Sequence, residues 1–427
     1  MTEQMNVPKL RFGEFDKEWA LNKAKINIVA GNAYKLDEYT DNGYLLIQGL
    51  HIQPDRIVLE DKPKYVKQSD GKHVKIDKGD IVLGLNRPIT NNQLKASRFK
   101  LDAESVLYQR AGKLSFDISK LDSEFIYQYL KCSTFMKQLD LELIGSDQPY
   151  IRSNLFQATK NVFPLLDEQQ KIASFLSKVD ENIGLLSEKK DKLTEYKRGV
   201  MQQLFNGKWH EQDGLLTFVP PTLRFKADDG SEFPDWKEKM LGELGQFKNG
   251  LNKGKEDFGF GKPFVNLQDV FGQQTLGTPN NFGLVNANDK DIKTYQLLKG
   301  DVIFIRSSVK KSGVGETVLV SEDLVDTVYS GFLIRFRSKP CLIDGFKKYC
   351  FWDQKFRNRL IALSTTSANT NINQESLSQL AIQYPSQEEQ TKIASFLSAI
   401  DQKIALTNSE LNKAKEWKKG LLQQMFV

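Results

Sequence analysis

The chain has 427 residues, 40% of them hydrophobic, enough apolar material for two or three cores and an expectation of two to four domains. No apolar run approaches the roughly 18 residues of a membrane span, and the opening MTEQMNVPKLRFGEF has no apolar signal region, so a cytoplasmic protein without membrane association is expected. Three cysteines without CxxC spacing and three histidines support neither a disulfide framework nor a metal site, and a net charge of +6 suits a polyanionic partner without demanding one.

In chain order, the first segment opens with LRFGEFDKEW (Leu10 to Trp19) and passes through short β-branched runs, INIVA, YLLIQGL and DRIVL, punctuated by turn residues. A Lys-Gly-Asp turn then leads into the apolar run KGDIVLGL (Lys78 to Leu85), and a helical piece with aromatics on one face follows at Glu124 to Leu143. Pro164 marks entry to a long helix, Glu168 to Phe205. Gly207 to Asp235, rich in Gly, Pro and acidic residues, reads as a linker.

The second segment repeats this order. It opens with LRFKADDGSEFPDW (Leu223 to Trp236), reaches KGDVIFIR (Lys299 to Arg306), continues through TVLVS and FLIRFR to a helical piece at Gly345 to Leu363, and meets Pro385 before a second long helix, Glu389 to Phe426. The two long helices lie 221 positions apart, from Glu168 to Glu389, with no gap and about half of the aligned residues identical, so one ancestral half has been duplicated. The Lys-Gly-Asp turns are also 221 apart, whereas the opening motifs are 213 apart, which places the net insertion early in the segment, in surface loops.

Each long helix carries apolar residues at alternating steps of four and three: Ile172, Leu176, Val179, Ile183, Leu186, Leu193, Val200 and Leu204, then Ile393, Leu397, Ile400, Ile404, Leu411, Ala414, Leu421 and Met425. This is a coiled-coil seam of about five heptads, interrupted by Lys190, Lys197, Thr407 and Lys418. Parallel pairing in register would bury Lys197 against Lys418; antiparallel pairing sets Lys197 near Ile400 and Lys418 near Val179 and is favoured, because two like charges are not buried together. One such stretch alone would equally suit oligomerisation or simple core packing, but two in one chain point to an intramolecular pair.

The expected fold is therefore α+β: two mixed β-rich domains and two long helices forming an intramolecular antiparallel coiled coil. Its parts are a first domain at 1–164, a first helix at 165–206, a linker at 207–235, a second domain at 236–384 and a second helix at 385–427. The helices match closely while the domains do not, as expected if each domain recognises something different and the helices hold them at a set separation.

At this point the chain resembles the specificity subunit of type I restriction–modification systems, on the paired domains, the helix entrances PLLDEQQKIASFL and PSQEEQTKIASFL, and the Gly-x-x-Gln-Gln-x-Phe endings at Gly199 to Phe205 and Gly420 to Phe426. The resemblance covers essentially the whole chain. It implies that each domain is a target-recognition domain reading one half of a bipartite, asymmetric site in double-stranded DNA, with the helix pair as the ruler between halves. Half-sites on one face of the duplex lie about 34 Å apart, within the helices' reach. It also implies two modification (methyltransferase) subunits docked on helix surfaces outside the seam, and restriction (translocase/nuclease) subunits. S-adenosylmethionine, ATP and Mg belong to those partners, and none is bound by this chain.

Sequence readout needs Arg, Lys, Asn or Gln at base edges, and positioning needs cations and amides at phosphates. The first domain offers Asn86, Arg87, Asn91, Asn92, Gln93, Lys95 and Arg98 in the run after its Lys-Gly-Asp strand, with Lys35 in an earlier loop. The second offers Asn249, Lys253 and Lys255 in KNGLNKGKED, Arg306, Lys310 and Lys311 in RSSVKKSG, and Asn369 and Asn371 in STTSANTNINQ. The alternative for each is a solvated loop.

Catalytic readings fail on their motifs. Asp147-Gln148-Pro149-Tyr150 lacks the leading proline of an adenine methyltransferase loop, Phe258-Gly259-Phe260-Gly261 lacks a following α/β repeat, and Pro234-Asp235 is followed by no spaced acidic-x-Lys strand. There is no GxxxxGK[ST] phosphate loop. The chain is expected to be non-catalytic by itself, with no metal and no catalytic residue. Two rivals remain: a self-sufficient DNA methyltransferase or nuclease, which would bind S-adenosylmethionine as an isolated chain, and a coiled-coil adaptor, whose assembly would bind DNA without sequence preference or salt dependence.

Overall fold

A computed structural model describes residues 6–68, 73–145, 147–212, 215–278, 281–366 and 369–427. The chain divides into two compact units, Met1–Glu188 with Asn408–Val427 and Lys189–Thr407, so each long helix contributes to both.

In the first unit, an antiparallel four-stranded sheet runs in the order Ala96–Arg98, Ile81–Gly84, Ala111–Phe116, Ile26–Ala30. A five-stranded mixed sheet beside it pairs Ser105–Leu107 parallel to Tyr44–Ile47. The residues of Ile81–Gly84 and Tyr44–Ile47 are buried throughout, as expected of short apolar runs covered on both faces. The helical piece is split by the Cys132 N-cap into Ser123–Tyr129 and Ser133–Glu142. Their Phe125, Tyr129 and Phe135 join Trp19, Phe163 and Phe426 in one core with Ile172, Leu176, Val179, Leu421 and Met425 of the seam.

The second unit repeats the plan with a five-stranded sheet ordered Gly245–Asn249, Leu333–Ser338, Val302–Ile305, Thr317–Val320, Thr275–Leu276. Its helices Asp344–Cys350 and Gln354–Leu363 supply Phe346, Tyr349, Phe356 and Leu360 to a core shared with Val200, Leu204, Ile393, Leu397 and Ile400. The stretch read as a linker carries a hairpin, Lys208–Gln212 paired with Leu215–Val219, and its Phe218 and Trp209 pack on this core. Phe258-Gly259-Phe260-Gly261 lies in the irregular strand Phe258–Val265.

The long helices span Leu166–Leu204 and Gln387–Met425, 39 residues each, or roughly 58 Å at about 1.5 Å per residue. Acidic residues in their first turns, Asp167 and Glu168, Glu388 and Glu389, complement the helix dipole. Every seam residue named above is buried or half-buried. Two of the four polar interruptions are paired inside a unit: Lys418 Nζ lies 2.6 and 2.8 Å from the Asp180 carboxylate, and Lys197 Nζ lies 2.5 Å from Asp401 Oδ1.

The opening and entrance motifs fit each other. In the first unit Arg11 donates to both Glu168 oxygens at 2.7 Å, and Trp19 Nε1 donates to Oε1 at 3.2 Å. In the second, Arg224 reaches Glu389 at 3.1 and 3.2 Å. The adjacent glutamines fasten each helix to its domain. Gln169 accepts from Asp122 N and donates to Pro164 O, while Gln390 accepts from Ile343 N and donates to Pro385 O. The Lys-Gly-Asp turns share a rationale as well. Gly79 and Gly300 take positive φ, Asp80 and Asp301 each accept from the backbone N–H three residues earlier, and each pairs with a cation on a neighbouring strand, Lys113 or Arg337.

Candidate nucleic-acid interface

In the first unit three chain segments run side by side beyond the sheet. Leu85 N donates to Arg110 O at 3.0 Å, Ile151 N donates to Leu85 O at 2.9 Å, and Arg87 N donates to Pro149 O at 2.7 Å. Asn86 bridges to Tyr150. Arg87 is held at a φ of 44°, unusual for a residue with a long side chain, and is exposed. Two residues on, Ile89–Thr90 pairs with Gln93–Leu94 across the turn Asn91-Asn92, whose φ values of 49° and 59° mark a type I′ hairpin. Asparagine tolerates that conformation, so the tip presents two exposed amides.

Arg98 is directed elsewhere. It binds Glu124 at 2.8 Å, Gly79 O at 2.7 Å and Ser123 Oγ at 2.8 Å, tying strand to helix, and its side chain is 15% exposed. Lys35 is exposed at the start of a 3₁₀ turn, Leu36–Glu38. The chain before it passes so close to the sheet that a Cβ on Gly31 would sit 2.2 Å from Leu107 O.

A groove of about 1000 Å³ adjoins the hairpin, lined by Asn91, Asn92, Lys131, Lys137, Lys415 and Lys419 among others. On its wall, burial, with Lys131 nearby, pulls the Lys418 ammonium below its ordinary range despite Asp180. Burial pushes Asp55 the opposite way, but Lys131 and the Tyr127 hydroxyl outweigh it, so that carboxyl sits below its ordinary range.

The second unit brings its candidates closer together. Arg306 N donates to Phe332 O and Ile372 N donates to Arg306 O, both at 2.9 Å, and Ser307–Ser308 pairs with Thr370–Asn371. Arg306 Nη1 also reaches Gly331 O at 3.2 Å, and Gly331 N donates to Leu251 O at 3.0 Å, so the Asn249 loop, Arg306 and Asn371 meet at one edge. Asn369 lies beside Asn371, whose amide donates to its carbonyl at 3.0 Å; residues 367–368 of that loop fall outside the described residues. Lys255, Lys310 and Lys311 are exposed, whereas Lys253 pairs with Asp291 at 3.0 Å, which raises the Lys253 ammonium above its ordinary range.

Among the described residues no group of three His, Cys, Asp or Glu could hold a metal, and no helix is long and apolar enough to cross a membrane. The family profile described as "Type I restriction modification DNA specificity domain" matches residues 22–195 and 234–416. The chain belongs to this family. It is similar to the type I restriction enzyme MjaVIII specificity subunit of Methanocaldococcus jannaschii, 31% identical over 48% of this chain and 50% of that relative. It is also similar to the EcoKI specificity subunit of Escherichia coli K12, 22% identical over 89% of this chain and 82% of that one. Its fold resembles the crystal structure of a type I restriction–modification S subunit from M. genitalium, with a TM-score of 0.53, 16% identity and 99% of each chain covered.

A type I specificity subunit recognises DNA and is non-catalytic by itself, which places the functional residues on exposed, hydrogen-bonding surface. Sequence reading passed over two residues at this edge, Arg110 and Tyr150. Arg110 is isolated from any basic run, and Tyr150 was set aside within a chance methyltransferase-like match. The available signal was the repeat: Tyr150 lies 221 positions before the candidate Asn371.

Proposed function

We propose that each unit reads one half of a bipartite, asymmetric site in double-stranded DNA, and that the long helices form one intramolecular antiparallel coiled coil that sets the gap between the halves. The observation that carries this is the pair of partly buried ion pairs, Asp180 with Lys418 and Lys197 with Asp401. Moving 17 residues forward along the first helix, from Asp180 to Lys197, moves 17 back along the second, from Lys418 to Asp401, as antiparallel register requires. The division of residues into recognition domains at 1–164 and 236–384, spacer helices at 165–206 and 385–427, and a joining stretch at 207–235 belongs to the same reading.

The outward helix faces dock two copies of a modification subunit, and restriction subunits join that assembly. Support for a doubled partner comes from exposed apolar residues that recur at the repeat spacing: Leu185 and Leu406 are 59% and 63% exposed, Tyr196 and Trp417 53% and 54%. S-adenosylmethionine, ATP and Mg serve the partners. The test is mapping methylated adenine in cells carrying this chain and its modification subunit, before and after residues 1–160 are exchanged for those of a relative. One bipartite motif is expected, with only one half altered by the exchange; a change in both halves contradicts the modular reading.

A further inference from the structure

The two units build the same backbone frame around different side chains. Leu85 N to Arg110 O corresponds to Arg306 N to Phe332 O, and Ile151 N to Leu85 O corresponds to Ile372 N to Arg306 O. The Asn86–Tyr150 bridge corresponds to the Ser307–Asn371 pair. The neighbouring glycines match too: a Cβ would meet Leu107 O at 2.2 Å on Gly31 and Ser330 O at 2.1 Å on Gly250. These correspondences fall at 219 to 223 positions, so three segments are held in the same mutual register in both halves.

Frame positions that keep their hydrogen bonds have exchanged their chemistry. Arg110 stands where the second unit has Phe332, which is 59% exposed, and Tyr150, 41% exposed, stands where it has Asn371. Asn86 and Arg87 stand where it has Ser307 and Ser308. Drift in a solvated loop would alter backbone and side chains together. A backbone held constant while arginine, aromatic and amide side chains interchange is the pattern of a surface whose side chains are selected for what they contact. These are the side chains that tell bases apart: arginine at guanine, asparagine at adenine, an apolar ring against the thymine methyl.

Resting on the DNA-recognition reading above, we infer that this three-segment edge is the base-reading surface of each unit. Arg110 and Tyr150 are specificity-determining residues of one half-site, and Phe332 of the other. The hairpin tip Asn91-Asn92 and the exposed lysines then serve as flanking contacts.

The experiment uses the full chain assembled with its modification subunits, with the methylated motif read by modified-base sequencing for Arg110→Ala, Tyr150→Phe, Tyr150→Ala and Phe332→Leu. Discrimination is expected to fall about tenfold or more at one or two base positions. The change appears in one half for the Arg110 and Tyr150 variants and in the other half for Phe332→Leu, with thermal unfolding unchanged for the conservative Tyr150→Phe and Phe332→Leu. An unchanged motif in all four, or methylation lowered evenly at every sequence, overturns the assignment. An unaltered assembly that methylates without sequence preference would instead overturn the recognition reading from which it starts.

Discussion

Among the described residues Asp180 supplies the only carboxylate hydrogen-bonded to Lys418, whose ammonium lies in the groove wall with 8% of the residue exposed, and replacing Asp180 with asparagine removes it. Breaking a buried pair from one side costs about 3–5 kcal/mol, because the remaining charge is left without compensation. Asp180 itself is 35% exposed, which sets the expectation at the lower end, about 3 kcal/mol. Lys418→Met should cost less than about 1 kcal/mol, since the stem is replaced by an apolar one of similar length. The carboxylate it leaves keeps water and the Gln128 amide at 2.8 Å.

Calorimetry should show the transition of the first unit lowered by about 6–12 °C in Asp180→Asn, at about 2–4 °C per kcal/mol for a unit of this size. Hydrogen exchange should rise in the helix peptides around Val179 and Leu421. The alkaline side supplies a sign test. The folded Lys418 pKa lies below 10.5, so above it the unfolded chain binds more protons than the folded one, and stability rises with pH up to about 10.5. In Asp180→Asn the depression deepens, and that rise begins at lower pH. Equal losses in the two variants, or no loss in Asp180→Asn, would refute the claim that the ammonium is buried and dependent on one partner.

Arg224→Ala should lower the transition of the second unit by about 3–5 kcal/mol near pH 8, because the Glu389 side chain is fully buried and loses its cation. Burial already raises the Glu389 pKa above 4.5, so this group favours the fold most below pH 4.5 and that contribution is lost as pH rises through the folded value. The deficit of the variant should therefore shrink on acidification; a deficit independent of pH between 4 and 8 would count against this account. Lys310→Ala with Lys311→Ala should weaken DNA binding and flatten the dependence of log K on log salt by about 0.9 per lost phosphate contact, read by fluorescence anisotropy. A changed methylation motif with an unchanged slope would show that these lysines read bases instead.

The duplication, the seam and the helix entrances were legible because helical periodicity and a gapless repeat are written in consecutive residues. The roles of the motifs inside that repeat were not. Arg11 and Glu168 are 157 residues apart, and nothing in either motif names the other as its partner. Lys418 and Lys197 were visible as breaks in an apolar seam, but Asp180 and Asp401 became their partners only once helix was laid on helix. Arg98 looked like its basic neighbours until packing turned it toward Glu124.

By itself, the sequence determined that two similar halves exist, each with a β-rich domain and a long amphipathic helix, because hydrophobic period and internal repetition are local properties. Which side chains share one edge was decided by tertiary structure, since Arg110, Asn86 and Tyr150 lie in separate segments that only backbone hydrogen bonds bring side by side. Recognition chemistry depends on that convergence, and distance along the chain does not encode it.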